Sequence, residues 1–246
     1  MSLKLGGGSI ARGYLGATEI IKAYLGANLV FSSGDTTSFI TTWRTTTTNE
    51  TITIPTDGGS GYNYDISTSD GQTFTGVTGS QAITFASAGD YDVSISGAFP
   101  RIYFNNGLER AKILDIKQWG NIAWTSFLKS FFGCVNLQLT ATDSPNLSNA
   151  PTLQNMFRGC VSLNPSISHW DVSNITNMRA LLQQTLFNQN IGSWDITSVS
   201  NFQDFIKITN ALTTANYDDI LIGWEATLQA TYPNGTGYTP IISIDF

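Results

Sequence analysis

The sequence is poor in charged residues and in histidine. Asp, Glu, Lys and Arg make up 12 % of the 246 residues, which is about half the usual share. The net charge at pH 7 is −6, and His169 is the only histidine. Because phosphate binding needs clustered Lys and Arg, and the sequence shows no such cluster, we expect no nucleic-acid partner.

Cysteines and long apolar runs are also scarce. The two cysteines, Cys134 and Cys160, are too few for a disulfide-stapled fold, and with one histidine they are too few for a zinc site. No stretch approaches the roughly 20 apolar residues that span a bilayer, so we predict no membrane insertion. The N-terminal residues lack the apolar segment of a secretory signal peptide, which predicts assembly in a host cytoplasm.

Motifs for catalysis and cofactor binding are absent from the sequence. It contains no P-loop, no glycine-rich dinucleotide turn and no metal-binding helix pattern. A catalytic triad would have to use His169, whose counterpart in the next repeat is Ser193, as expected for a solvent-facing position. Asp57 and Asp70, beside glycines, have too few neighbouring ligands for a strong calcium loop. We therefore predict that the protein is not an enzyme and has no cofactor.

A repeat organises the second half of the chain. Phe132–Leu137 returns as Phe157–Leu163, which places the two cysteines 26 residues apart, and Ile167–Val172 returns as Ile191–Ile196 after 24 residues. Apolar residues align through these repeats in columns whose steps are 26, 25 and 24 residues. The columns are Phe127, Leu153, Met178, Phe202 and Phe131, Phe157, Leu182, Ile206. A period in the twenties predicts a solenoid in which each column stacks and the cysteines lie buried on adjacent coils.

Spacing within a repeat predicts its local structure. Met178, Leu181 and Leu182 stand at i, i+3 and i+4, the spacing of a helical turn that faces a core. The β-prone segment Trp170–Val172 precedes that turn. One strand and one helical turn per coil is the leucine-rich-repeat type of unit. Trp119, Ile122 and Trp124 are expected to form a cap on the first coil, and 215–224 is expected to be a helix that seals the last one.

The first 100 residues predict β-structure of two kinds. Three Leu-Gly segments recur every 10 residues between 5 and 30, as in a tight β-meander with glycine at each turn. Short alternating runs separated by Asp-Gly and Gly-Asp turns fill 39–99 and predict a small β-sandwich. The runs lie at 40–43, 51–55, 62–66, 81–85 and 91–96.

Three stretches resemble known families. Tyr14–Ala27 resembles a segment at the N-termini of bacteriophage fibre- and tail-associated proteins, which implies attachment to a virion through Tyr14, Leu15, Gly16, Tyr24, Leu25 and Gly26. The Asp70-Gly71 turn and Phe85–Val93 resemble PKD-type immunoglobulin-like domains, with Phe85 in place of the usual tyrosine. The repeats between Ile167 and Asp195 resemble BspA-like leucine-rich surface-protein repeats.

A binding edge is expected where aromatic and acidic residues recur. Trp170 beside Asp171 and Trp194 beside Asp195, with His169 adjacent, suit contact with a glycan or another receptor. The alternative is a tryptophan ladder inside the solenoid, with the aspartates in local hydrogen bonds. Asparagines at the turns suggest hydrogen-bond ladders between coils; they are Asn174, Asn177, Asn188, Asn190 and Asn201.

Together these patterns predict a β-rich multidomain virion protein. The expected parts are an N-terminal β attachment segment at 1–34, an Ig/PKD-like sandwich at 35–100, a solenoid with caps at 101–230 and a tail at 231–246. The resemblances imply a tail fibre, tail spike or head fibre, a homo-oligomer and by analogy with fibres a trimer, which binds other virion proteins and a host-surface glycan or protein. The alternatives are a bacterial cell-surface adhesin and a capsid or tail decoration protein with no receptor role.

Overall fold

The protein is β-rich and has a single α-helix among the residues described. The computed structural model describes residues 10–15, 18–25, 28–33, 35–208 and 211–233. None of the described helices is long and apolar enough to cross a membrane. The β-like run predicted at 241–244 lies outside the described residues.

The N-terminal segment forms a three-stranded antiparallel meander. Its strands are β1 (Ile10–Leu15), β2 (Thr18–Leu25) and β3 (Asn28–Ser33), in the order β1-β2-β3. Leu15 pairs with Thr18 and Leu25 with Asn28, so only two residues separate each pair of neighbouring strands. This confirms the predicted meander. The glycines that were expected at the turns, Gly16 and Gly26, lie outside the described residues.

A six-stranded mixed sheet follows, in the order β11-β10-β4-β9-β6-β7. Its β11–β10 pair is parallel and its other pairs are antiparallel. The strands are β4 (Phe39–Thr45), β6 (Asn63–Thr68), β7 (Thr73–Val77), β9 (Gly89–Ala98), β10 (Ile113–Gln118) and β11 (Gln138–Leu139). A separate antiparallel pair consists of β5 (Glu50–Ile54) and β8 (Gln81–Phe85).

Alternation of side chains explains why these segments are strands. In β4, Phe39, Thr41 and Trp43 are buried, whereas the residues between them are partly exposed, which is the period of two expected for a half-buried strand. Buried Thr41 is satisfied because the Trp43 indole N–H donates to its hydroxyl at 2.8 Å. The five predicted strands are confirmed as β4, β5, β6, β8 and β9. Strands β7 and β10 were not predicted.

One hydrophobic core connects the sheets with the repeats. Phe39 of β4 lies 5.7 Å from the ring of Trp119 and 5.0 Å from that of Trp124. Strand β10 pairs with β4 on one side and with β11, which belongs to the repeats, on the other. The predicted boundary between residues 100 and 101 thus runs through a continuous core. The tryptophans that were expected to cap a free end instead lie at the junction with the sheet.

The repeats stack through parallel backbone hydrogen bonds. The N–H of Leu153 donates to Asn177 O and that of Met178 to Asn201 O, both at 2.9 Å. Similar bonds follow at every second residue, and parallel bridges join Thr152, Asn177 and Asn201. All eight residues of the two predicted columns are buried. Successive coils are therefore in the register that the sequence predicts.

The predicted helical turns are wrong. Among residues 140–208 the structure contains no helix and no strand longer than a single bridge. Each coil instead contains two consecutive four-residue turns, as where Leu181 N donates to Met178 O and Phe205 N donates to Phe202 O. The third residue of each turn has a positive φ, which no α-helix tolerates. These residues are Lys129 and Gly133, Asn155 and Gly159, Ala180 and Gln184, and Asp204 and Ile208.

Consecutive turns of this kind reproduce the spacing of a helix. They return residues i and i+4 to the same side, so Phe127 and Phe131 both face the core. A left-handed conformation costs a non-glycine residue roughly 1–2 kcal/mol. The turn hydrogen bond and the bond to the next coil contribute about 1 kcal/mol each, and burying a Leu or Phe contributes about 1.5–3 kcal/mol more. Stacking therefore outweighs the backbone strain.

Helix α1 (Thr214–Thr231) covers the last coil, as predicted. Thr213 caps it, because its side chain accepts a hydrogen bond from the N–H of Asn216. Ile220 and Trp224 are buried, and the Trp224 ring lies 5.3 Å from Phe202. Gly223 faces the coil so closely that an added Cβ would lie 2.7 Å from the Cα of Gly192. The helix can approach this far only because both residues are glycine.

We predict that Gly223→Ala destabilises the protein by about 2 kcal/mol, in the range of overpacked cores. Replacing a helical glycine by alanine ordinarily stabilises a protein by up to about 1 kcal/mol. The sign of the change in the free energy of unfolding therefore tests the contact between Gly223 and Gly192. Gly79→Ala is the matched control, since an added Cβ there meets nothing within 4 Å, and we expect a change within about 0.5 kcal/mol. Urea unfolding measures both. An unchanged or raised midpoint for Gly223→Ala would contradict the contact.

Candidate interaction surface

The aromatic residues of the predicted binding edge are buried. Trp170 is 3 % exposed and Trp194 is 1 % exposed. The Trp170 ring packs edge-on against Trp119 at 5.5 Å. The indole N–H of Trp194 donates to Ile167 O and that of Trp224 donates to Ile191 O, both at 3.0 Å. Neither Trp170 nor Trp194 presents a ring face to a sugar, and both are packing residues of a tryptophan column that α1 extends.

The polar residues of the same edge are exposed. Asp171 and Asp195 each accept two hydrogen bonds from the residue two positions on, Ser173 and Thr197, through its backbone N–H and its hydroxyl. Asn146 makes the same pair of bonds with Ser148 one coil earlier. These are local turns that the side chain closes. Any ligand contact at this edge would depend on His169, Asp171 and Asp195.

His169 has no catalytic partner among the described residues. Its Nε2 lies 3.3 Å from the backbone oxygen of Asp143, and no serine, cysteine or carboxylate side chain completes a triad with it. The carboxylate of Asp143 accepts from the backbone N–H groups of Trp119 and Gly120. The Asp143 carboxylate thus stabilises the turn at Trp119 and Gly120, where the coils meet the sheet.

The two cysteines are free and buried on adjacent coils. The Cys160 thiol donates to Phe131 O at 3.1 Å. Burial raises the pKa of both thiols, for Cys134 well above its usual range, so neither is reactive. Thr185 occupies the equivalent position one coil later, and its hydroxyl donates to Leu182 O at 2.8 Å. This part of the prediction, two buried neighbours in one column, is confirmed.

The asparagine side chains form hydrogen bonds within their own turns and between coils. Asn177, Asn190 and Asn201 accept a hydrogen bond from the N–H two residues on and so close their own turns. Asn177 also bonds to the preceding coil, because its side-chain amide donates to Gln154 Oε1 at 3.0 Å. Asn188 is part of a ladder between coils: its N–H donates to Asn164 Oδ1, and its own Oδ1 accepts from the N–H of Thr213. That ladder ends at the residue that caps α1.

An open cleft of about 470 Å³ lies where the sheet meets the first coil. Asp57 accepts hydrogen bonds from the Tyr62 hydroxyl at 2.9 Å and from Arg101 at 2.8 Å. Burial and the bond to Asp57 raise the pKa of Tyr62 to about 12. Arg101 also donates to Leu128 O and lies over the Tyr103 ring at 4.2 Å. These contacts join the two parts of the core, although the Nε of Arg101 is buried without a partner among the described residues.

Neither aspartate that was considered for calcium forms a cation site. Asp57 is engaged as above, and Asp70 accepts from the Thr68 hydroxyl and from Gln72. Within the described ranges no three His, Cys, Asp or Glu side chains are grouped as metal ligands.

The residues that the sequence resemblance suggests for virion attachment are described only in part. Tyr14 and Leu15 lie in β1 and Tyr24 and Leu25 in β2, where Tyr14 pairs with Glu19 and Tyr24 with Leu29. Gly16 and Gly26 are outside the described residues.

Part of the chain matches a known protein family. Residues 109–222 match the family described as "Mycoplasma protein of unknown function, DUF285". The matched region begins before β10 and ends within α1, so it covers the stacked coils together with the first half of the helix that closes them. No curated protein matches the chain, and no solved structure matches it either.

We predict that the hydrogen bonds from Ser173 control the ionisation of Asp171. They hold the pKa of Asp171 below its ordinary value, so this carboxylate stabilises the fold above about pH 4. Its contribution is lost as the pH falls through the lowered pKa of the folded state. In Ser173→Ala the hydroxyl donor is gone, and the pKa of Asp171 should rise. Carbon-detected NMR titration of the carboxyl groups measures it, and an unmoved Asp171 signal would refute the assignment.

Proposed function

We propose that this chain is a structural protein of a bacteriophage virion, an appendage that is anchored by its N-terminal segment and displays stacked coils to the host surface. The tail fibre, tail spike and head fibre are the kinds of appendage considered. The observation that supports the proposal is the ladder of coils between Phe127 and Ile208, because stacking brings the residues between the columns to solvent at regular steps. The virion is the expected location.

The proposed architecture is a BspA-like leucine-rich solenoid on a PKD-like immunoglobulin sandwich. The buried columns, the parallel ladder and the closing helix support the solenoid. The antiparallel pairing of β4, β6 and β9, with the Asp70-Gly71 turn between β6 and β7, supports the sandwich. A homo-oligomer, taken as a trimer by analogy with fibres, completes the proposal.

The N-terminal meander is the proposed attachment element. Among the described elements, β1, β2 and β3 pair only with one another. A three-stranded sheet of this size has little apolar surface to bury by itself, so docking on another virion protein would stabilise it. Tyr14, Leu15, Tyr24 and Leu25, with the neighbouring glycines, are the residues proposed to make that contact.

A bacterial cell-surface adhesin is the second candidate. The description of the family that matches residues 109–222 names Mycoplasma, a bacterium, and this favours a cellular protein. The two candidates differ in where the protein is found. An adhesin would be present on the surface of uninfected cells that carry the gene, whereas an appendage would be present on purified particles.

We predict that removal of residues 1–34 prevents incorporation into virions. Because β4 to β11 pair without these residues, the remaining chain should keep its fold and its melting temperature. Immunoblots of purified particles, with the full chain as control, measure incorporation. Truncated protein present in particles at the level of the full chain would contradict the attachment role.

We predict that the purified full chain competes with virions for host cells. Truncation at residue 101 is unsuitable for this test, because it would remove β10 from its pairing with β4. Pre-incubation of cells with saturating protein should lower the fraction of adsorbed particles severalfold. Normal adsorption, together with no binding of the protein to cells, would exclude the receptor role and leave a decoration protein.

A further inference from the structure

Folding brings together cations that are far apart in the sequence. We define the turn face as the outward side of the two consecutive turns in each coil, at 127–134, 153–160, 178–185 and 202–208. All the Lys and Arg residues that follow residue 118 lie on this face: they are Lys129, Arg158, Arg179 and Lys207. These cations form no cluster in the sequence, but they share one face of the stacked coils.

Three of these cations have no ion-pair partner among the described residues. Lys207 forms an ion pair with Asp204 at 3.1 Å, but within the described part of the chain no carboxylate lies within ion-pair distance of Lys129, Arg158 or Arg179. The sheet region differs, since Arg44 pairs with Asp90 at 2.7 Å and Lys117 with Asp92 at 2.8 Å. Unpaired cations gathered on one face leave a local positive field on an acidic protein.

The carboxylates of the same coils lie on another edge. Asp143, Asp171 and Asp195 accept hydrogen bonds from turns next to the tryptophan column, and Asp204 is the only acidic residue on the turn face. The coils thus have one basic face and one acidic edge, fixed by the same register. An anion is attracted to the first and repelled by the second.

Amide and aromatic side chains surround the cations. Arg158 aligns with Lys207 two coils on, with the buried Gln183 between them, and Arg179 aligns with the more exposed Gln154 and Gln203 on its two sides. The Arg158 guanidinium lies 5.3 Å from the centre of the half-buried Phe132 ring, and its Nε is buried without a partner. Guanidinium and amide groups hydrogen-bond to carboxylates and hydroxyls respectively, and an aromatic ring contacts the apolar face of a sugar.

We infer that the turn face binds an acidic polysaccharide, a carboxylated glycan chain lying along the stacking axis. This inference rests on the proposed function, in which the coils contact the host surface, and it names the class of ligand. The turn face has one cation on each coil, and hydrogen-bonded coils are about 4.8 Å apart. The cations therefore recur along the stacking axis. Duplex DNA carries a negative charge about every 1.7 Å, far more than three unpaired cations on a chain of net charge −6 can neutralise.

Binding of the purified full chain to polygalacturonate tests the inference, with dextran as the neutral polysaccharide and duplex DNA as the non-glycan polyanion. We expect binding of polygalacturonate that weakens with salt, and little binding of either comparison polymer. The double variant R158Q/R179Q should lower the affinity about tenfold or more, as for loss of desolvated charge pairs. R158K/R179K keeps the charge and should keep most of the affinity.

The matched control is R44Q/K117Q, which removes two charges from the sheet and none from the turn face. Melting temperatures of all variants establish that they are folded. The inference is overturned if the full chain does not bind polygalacturonate, if both charge-removing variants weaken binding equally, or if duplex DNA binds as tightly. If the protein is present on virions but does not bind polygalacturonate, the ligand class alone is overturned. Binding of polygalacturonate by a protein that is absent from virions overturns the proposed function and leaves the ligand class standing.

Discussion

The alternation of backbone hydrogen bonds along each coil is the constraint on which the rest of the structure depends. In the first turn pair, the N–H groups of Phe127, Lys129 and Phe131 donate to the next coil, while that of Ser130 donates within its own turn. This pattern continues only if each coil places its equivalent residues in register with those of the coil before it. The period of the sequence, the buried columns and the positions of the exposed side chains all follow from that requirement.

The period shortens from 26 to 24 residues without breaking the ladder. Between the first two coils a residue is lost in the connection after Leu137, and between the next two a residue is lost after Cys160. The second loss falls beside Val161 and Leu186, which are about half exposed. Length changes are thus confined to connections between columns, because a residue lost inside a turn would move every following side chain out of register.

The sequence predicted the columns better than it predicted the backbone that carries them. Spacing of i and i+4 identifies residues on one side of the chain, and both a helical turn and two consecutive four-residue turns satisfy it. The difference lies in the sign of φ at the third residue of each turn. Gly133, Gly159, Asn155 and Asp204 belong to types that accept a positive φ, whereas Ala180 gives no such signal.

The prediction that Trp170 and Trp194 contact a ligand is wrong for a related reason. Trp170 and Asp171 are adjacent in the sequence and suggest one binding edge, but neighbouring residues on a coil point in opposite directions, so the tryptophan enters the core and the aspartate reaches solvent. Lys129, Arg158 and Arg179 are 29 and 21 residues apart and suggest nothing until the coils stack. In a repeat protein, exposed residues at equivalent positions of successive coils lie side by side. Its binding surface is therefore found by aligning the repeats and comparing the charge of each column, rather than by searching for local motifs.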